Sequence, residues 1–273
     1  MTNDIKLIAL DLDGTLLTTD KRLSVRNRAA LQAASRQGVF IVPATGRIFR
    51  GLPRFILDWP FLKYAILSNG AAIYDVENDK MLCRTEIPLA QALEIMTWLD
   101  GQPVIYDCYM DGRGYMTRTM WQQIDRYAWS PIVVEYMKSI RRPVPELKAF
   151  LRDQGRDIQK VQAFCRDEDT QRRLLEHMPF PGIAVSSSVP RNLEINHESA
   201  TKGQALLSLA GRLGLKREQV MAFGDGLNDI SMIENAGIGV AMGNAVDEVL
   251  RAADKITATN DEDGVAAVIE GLL

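Results

Sequence analysis

Leu7-Ile8-Ala9-Leu10-Asp11-Leu12-Asp13-Gly14-Thr15 is the stretch on which the reading of this chain turns. Four apolar residues in succession near the start of the chain predict a short strand buried on both faces, as in a parallel sheet. Two carboxylates follow at once. In open α/β sheets the ligand crevice lies beyond the carboxyl ends of the strands, so this strand delivers Asp11 and Asp13 to it. Their two-residue spacing predicts that both project to the same side. Gly14 permits the sharp backbone turn that follows.

Working outward, Ser24 is placed to cap a helix over residues 25–37, with apolar Ala30, Leu31 and Ala34 on one side and Gly38 as its stop. Val39-Phe40-Ile41-Val42 predicts a second buried strand that ends in Ala44-Thr45-Gly46-Arg47, after which a helical stretch leads to Leu57. A third strand over residues 64–67 ends in Ser68-Asn69-Gly70. Strands with polar or glycine-bearing ends, separated by helices, make the rhythm of a doubly wound parallel sheet of the α/β class.

From Ala71 that rhythm breaks. A hairpin pattern at 73–75 and 80–86 is followed by a helix opened by Pro88, and then by two strands within 104–119 joined by Asp111-Gly112-Arg113-Gly114. Mixed helix and strand patterns continue to strands over 183–187 and 192–195. The α/β rhythm returns where Thr201 can cap a helix to Leu213. Val220-Met221-Ala222-Phe223 predicts a strand that runs into Gly224-Asp225-Gly226-Leu227-Asn228-Asp229. A strand over 237–242, a helix over 245–253, a strand over 255–257 and a final helix from Gly264 complete the unit. These patterns predict a Rossmann-like domain, residues 1–83 and 195–273, with an α+β domain, residues 84–194, inserted into it.

Composition narrows the function classes. With 47% hydrophobic and 25% charged residues, the 273-residue chain has the balance of a soluble globular protein. A net charge of -3, from 32 basic and 35 acidic residues, gives no field that would gather nucleic acid or an anionic membrane. Cys83, Cys108 and Cys165 form no Cys-x-x-Cys pair, which argues against a disulfide framework or a zinc knuckle. The polar start Met1-Thr2-Asn3-Asp4 leaves no charged-then-apolar leader, and no apolar run nears the ~18 residues of a membrane span, so a cytoplasmic protein is expected. His177 and His197 have no ligand partners nearby in sequence, and Gly237-x-Gly239 lacks the third glycine of a dinucleotide site.

Asp-x-Asp-Gly-Thr at the end of a first strand, Thr45, Lys202, and Asp225 with Asn228 and Asp229 stand in the order and spacing of the four motifs of the haloacid dehalogenase superfamily. The chain resembles that family of phosphotransferases along its whole length. The long insertion after the third strand resembles its type IIB cap. Asn69-Gly70-Ala71 before the insertion and Leu193-Glu194-Ile195 after it resemble the Cof-type branch, whose members hydrolyse small phosphorylated metabolites, often sugar phosphates. Ser199-Ala200-Thr201 departs from the Gly-Val-Ser-like triplet common before the branch's lysine, but leaves Lys202 in place.

The residue types make physical sense without the family. An aspartate is ionised at neutral pH when its pKa lies near its ordinary value of about 3.9, so Asp11 can attack phosphorus without an activating base. Charge is the obstacle: like charges ~4 Å apart repel by roughly 4 kcal/mol at an effective dielectric of about 20. A hard divalent cation on oxygen ligands removes it, and magnesium suits one or two carboxylates plus a phosphate. The resemblance implies that Asp11 and Asp225 ligate Mg2+ by their carboxylates, Asp13 by its carbonyl, and Asp229 directly or through water. It also implies that Asp11 is the nucleophile and that Asp13 serves as general acid and base. Thr45, the Gly46 amide, Lys202 and Asn228 are the implied phosphate ligands, with Arg47 contacting cap or substrate.

A phosphomutase on phosphosugars is the alternative with the same nucleophile, and a receiver-like phospho-aspartate signalling domain a more remote one. Lys138, Arg141 and Arg142 are expected in a solvated loop, and Tyr109, Tyr115, Met116 and Trp121 in the core of the inserted domain.

Overall fold

A computed structural model describes residues 4–272, apart from Trp129 and Ser188. In chain order its strands are β1 (Leu7–Leu10), β2 (Phe40–Pro43), β3 (Tyr64–Leu67), β4 (Ala72–Asp75), β5 (Lys80–Arg84), β6 (Val104–Met110), β7 (Arg113–Thr117), β8 (Arg141–Val144), β9 (Lys160–Cys165), β10 (Ile183–Ser186), β11 (Asn192–His197), β12 (Val220–Gly224), β13 (Ile238–Ala241) and β14 (Lys255–Ile256). The chain divides into two compact units. The first comprises Met1–Gly46, Leu52–Cys83 and Thr201–Leu273, and the second Arg47–Gly51 and Arg84–Ala200.

The first unit is built on a parallel sheet in the order β14-β13-β12-β1-β2. β1 lies inside it, with Leu7 opposite both Val220 and Phe40. All four β1 residues are buried, as the unbroken apolar run requires. Leu7 and Ala9 pack with Val42, Val220 and Ala222 and with Ala205, Leu206 and Leu209 of helix Lys202–Arg212. From β1 the chain moves outward to β2 on one side, and the later strands β12, β13 and β14 fill the other. The boundary between β1 and β12 is therefore the switch point at which α/β sheets bind ligands.

Two local expectations change. β3 meets β2 through a single parallel bridge, Ala44 with Ile66, and makes its main pairing antiparallel to β4, which pairs on to β5. The turn over Ser68–Gly70 accounts for this, since three successive positive φ angles, 50°, 60° and 100°, fold the chain straight back. The helix expected before Leu57 is instead a 3-10 turn, Phe49–Gly51, and a single helical turn, Arg54–Leu57. Pro53 separates them, because proline cannot donate to a continuous helix.

The second unit carries the six-stranded sheet β10-β11-β9-β6-β7-β8, antiparallel except for the β7–β8 pair. Tyr106, Cys108, Val161, Ala163, Leu193 and Ile195 pack on helices Leu89–Asp100 and Leu147–Gln154. Alternation puts Ile105, Asp107, Tyr109, Gln162, Phe164 and Glu194 on the other side. Ile105 and Phe164 there join Met116, Ile124 and Met137 in a second apolar cluster.

β11 runs unbroken from Asn192 to His197 and pairs on both sides, so the division falls at Ala200 rather than at residue 194. The β6–β7 turn consists of Asp111 and Gly112 alone, at φ 50° and 70°. Two positive φ angles suit the twist of a tight hairpin, and Arg113 and Gly114 are left as strand residues. The basic cluster is not a solvated loop. Arg141 is buried with its Nε 2.6 Å from Asp107 Oδ2, and Lys138 lies over the Trp121 ring at 5.0 Å. Tyr109, Tyr115 and Met116 are buried, as expected.

Candidate active site

β1 ends at Leu10, but the Asp11 amide still donates to Phe223 O of β12 at 3.1 Å, so the backbone keeps its sheet pairing for one more residue. The Asp11 side chain is buried there, 6% exposed. Asp225 follows the last residue of β12 and comes close enough to the first loop that a Cβ on Gly14 would lie 2.3 Å from Asp225 Oδ2. With φ at +93°, position 14 requires glycine on both counts. Thr15 Oγ1 donates to Asp225 Oδ1 at 2.6 Å.

Lys202 opens its helix, capped by Thr201, whose Oγ1 accepts from the Gln204 amide at 3.1 Å. The ammonium is fully buried and donates to Asp11 Oδ1 and to Asp229 Oδ1, each at 2.6 Å. Asp229 Oδ2 accepts from the amides of Asp225 and Gly226 at 2.9 and 3.0 Å, which fixes the loop after β12. Gly70 brings another loop against the start of this helix: at φ +100°, its Cβ would sit 2.2 Å from Thr201 O.

Asp11, Asp225, Asp229 and Lys202 thus come together as expected. Two of the three remaining phosphate candidates of this unit, Thr45 and Asn228, meet through Asn69. Asn228 Nδ2 donates to Asn69 Oδ1 at 3.1 Å, while the Asn69 amide donates to Thr45 O at 3.1 Å. Thr45 is buried, and Gly46 half-buried. The Asp13 carboxylate is not part of the cluster. It lies 2.9 Å from Lys21 Nζ, with its side chain 35% exposed. The strand has ended three residues earlier, at Leu10, so alternation no longer governs Asp13, and bonds from the Leu16 and Leu17 amides to Asp11 O and Leu12 O curl the backbone. Arg47 belongs to the second unit, where it donates to Gly51 O at 2.9 Å and lies against the Tyr136 ring.

Thr15, Asn69 and Lys21 were not among the site residues read from the sequence. Thr15 and Asn69 lie within motifs already quoted, so their neighbours in sequence were a usable signal. Lys21 had none, being an exposed lysine in a polar loop.

Three carboxylates share this site with one ammonium. Burial pushes the Asp11 carboxyl well above the ordinary carboxylate range; Lys202 opposes that shift, and Asp229, Asp225 and Asp13 add to it. Asp225 is likewise raised to about 6, first by burial and against the Thr15 hydrogen bond. Lys202 is raised, because the attraction of Asp11 and Asp229 outweighs its burial. An excess of buried negative charge calls for a cation. Ligand oxygens of Asp11, Asp225 and Asp229 lie within 4.8 Å of one another, and an all-oxygen donor set suits a hard divalent ion. These residues fit a metal ion.

A family model described as haloacid dehalogenase-like hydrolase matches residues 8–269. The chain belongs to that family. It is 34% identical to the 5-amino-6-(5-phospho-D-ribitylamino)uracil phosphatase YcsE of Bacillus subtilis, over 97% of this chain and 95% of that protein. It is 31% identical to the pyridoxal phosphate phosphatase YbhA of Escherichia coli, over 97% of each. A haloacid dehalogenase-like hydrolase from B. subtilis has the same fold, with a TM-score of 0.83 and 31% identity over 98% of this chain and 100% of that one. The chain is an enzyme of the Cof type, a phosphoric monoester hydrolase, which removes the receiver-domain reading.

Proposed function

We propose that this enzyme is a magnesium-dependent phosphatase of small phosphorylated metabolites, acting through an aspartyl-phosphate on Asp11. The observation that carries the reading is the Asp11 carboxylate at the sheet's switch point, 2.6 Å from the buried Lys202 ammonium and grouped with two further carboxylates. Asp11, Asp225, the Asp13 carbonyl and Asp229 would hold Mg2+, which supplies charge neutralisation when bound. Asp229 already accepts from two amides and from Lys202, which favours contact through water.

In the first step an Asp11 carboxylate oxygen forms a bond to phosphorus as the bond to the ester oxygen breaks. Asp13 gives its proton to that leaving oxygen, having turned from Lys21 to reach it. In the second step Asp13 takes a proton from water, whose oxygen attacks phosphorus and releases Asp11 and inorganic phosphate. Lys202, Thr45, the Gly46 amide and Asn228 bind the phosphoryl oxygens. Arg47, held by Gly51 and Tyr136, has no part in this scheme.

The substrates for which YcsE and YbhA are named are each a phosphate ester on a side arm of a heterocycle. These relatives support a substrate class that takes in heterocyclic alcohol phosphates beside sugar phosphates. Cys83, Cys108 and Cys165 carry free thiols, in keeping with a reducing, cytoplasmic setting.

Phosphate release from a panel of sugar phosphates, pyridoxal 5′-phosphate and the ribitylaminouracil phosphate tests the reading. Orthophosphate should appear with magnesium, stop on chelation, and fall when calcium, with its looser coordination, replaces magnesium. Full activity in excess chelator would refute the metal dependence, and an isomerised phosphosugar without free phosphate would mark a mutase.

A further inference from the structure

The loop after β1 is held from outside by residues for which the catalytic scheme has no use. Asn244, in the loop after β13, donates from Nδ2 to Gly14 O at 2.8 Å. Asn260, in the loop after β14, donates from Nδ2 to Leu17 O at 2.9 Å, and its amide donates to Asn244 Oδ1 at 2.9 Å. Asp261 accepts from the Thr19 amide at 2.8 Å and from Thr19 Oγ1 at 2.7 Å. Those two bonds hold the Asp261 carboxyl below its ordinary pKa.

These contacts fall around one residue. Gly14 follows Asp13 in sequence, and Leu17 is its bridge partner, so two of the fixed points flank Asp13 in the chain and across the loop. The bonds to Gly14, Leu17 and the Thr19 amide run from side chain to backbone, so they fix a path through space without filling volume. The Val246 amide, two residues beyond Asn244, also bonds Asp225 O at 3.0 Å, so the same loop registers β12's carboxylate with β1's. A loop that turns at a positive-φ glycine and leaves Asp13 partly exposed would otherwise have several paths.

We propose that Asn244, Asn260 and Asp261 form a clamp that positions Asp13 for proton transfer to the leaving oxygen. They are positioning residues and touch no substrate. The inference rests on the acid role assigned to Asp13 above. Proton transfer needs its partners within hydrogen-bond reach, and a displacement of about 1 Å can cost roughly 10²-fold in rate. Loosening the clamp should therefore weaken acid help specifically, and so penalise poor leaving groups more than good ones.

The test is kcat/KM for p-nitrophenyl phosphate and for phenyl phosphate, which reports phosphoryl transfer to the enzyme. Phenoxide, whose acid has a pKa of about 10, needs the proton more than nitrophenoxide does. Asn244→Ala and Asp261→Ala change exposed side chains, and thermal melts will report whether each variant is folded. Each should lose on the order of 10-fold on phenyl phosphate and clearly less on the nitrophenyl ester. Asp261→Asn should recover most of the loss, because its Oδ1 can accept from the Thr19 amide and its Nδ2 can donate to Thr19 Oγ1. Asp13→Asn should show the same selectivity, only larger. Equal losses on both esters, or none, in the alanine variants while Asp13→Asn remains selective would overturn the clamp alone. An Asp13→Asn enzyme without selectivity would overturn the acid role and the clamp with it.

Discussion

Among the described residues, three clustered carboxylates of the first unit, the buried Asp11 and Asp229 and the half-buried Asp225, share a single ammonium, Lys202, whereas in the second unit each buried acid has its own base. There Asp107 faces Arg141 at 2.6 Å, and Glu194 faces Lys160 at 3.1 Å, all four at most 4% exposed in their side chains. Balanced pairs repay much of their desolvation internally and serve as architecture. An excess of like charge cannot, and under the proposed function it is where a cation and a phosphate would be bound. The side of the sheet that carries Asp107 and Glu194 also carries the apolar cluster of Ile105 and Phe164, a setting in which a buried acid needs a partner base.

Lys202→Met gives the largest effect by which this contrast can be broken. It removes the one buried counter-charge, so phosphatase activity should fall on the order of 10²–10³-fold or more, measured as phosphate release with saturating magnesium. Activity within a few-fold of wild type would mean that the ammonium is only a structural plug. Next comes Arg141→Met in the second unit, which strands Asp107 and should cost about 3–5 kcal/mol of stability in denaturant melts. Pairing it with Asp107→Leu should recover most of that loss. A double variant no more stable than the single one would show that the pair is not simply architecture.

The smallest effect is on pH dependence without metal. Asp225 is raised to about 6 in the folded chain, so at intermediate pH the folded state holds a proton that the unfolded state has lost. Stability from this group is full below the ordinary aspartate pKa of about 3.9 and declines as pH rises through about 6. In excess chelator, Asp225→Asn should therefore melt higher than wild type near pH 7.5 and no higher near pH 4. The opposite trend would show that Asp225 is held in its charged form by partners other than a metal.

What the sequence disclosed followed from periodicity and punctuation. An unbroken apolar run followed by Asp11 marks an interior parallel strand and its end, and Ser24 and Thr201 sit at helix starts as N-caps. Residues whose setting depends on distant parts of the chain were not legible. Asp13 lies beyond the strand whose alternation would have oriented it, and its partner Lys21 reads as a surface lysine. Arg141 looks basic and solvated beside Lys138 and Arg142, and only β6 supplies the acid that buries it. Asn244, Asn260 and Asp261 carried no signal in the sequence, because their bonds reach the loop after β1 across more than 200 residues of chain.

The central claim is that Asp11 carries the phosphoryl group, and rapid-quench trapping of enzyme mixed with 32P-labelled substrate and magnesium tests it most directly. Wild-type protein should yield an acid-stable, hydroxylamine-labile phosphoenzyme whose labelled peptide contains Asp11. Asp11→Asn should yield none. Label retained in Asp11→Asn, or mapped to another residue, would contradict the account.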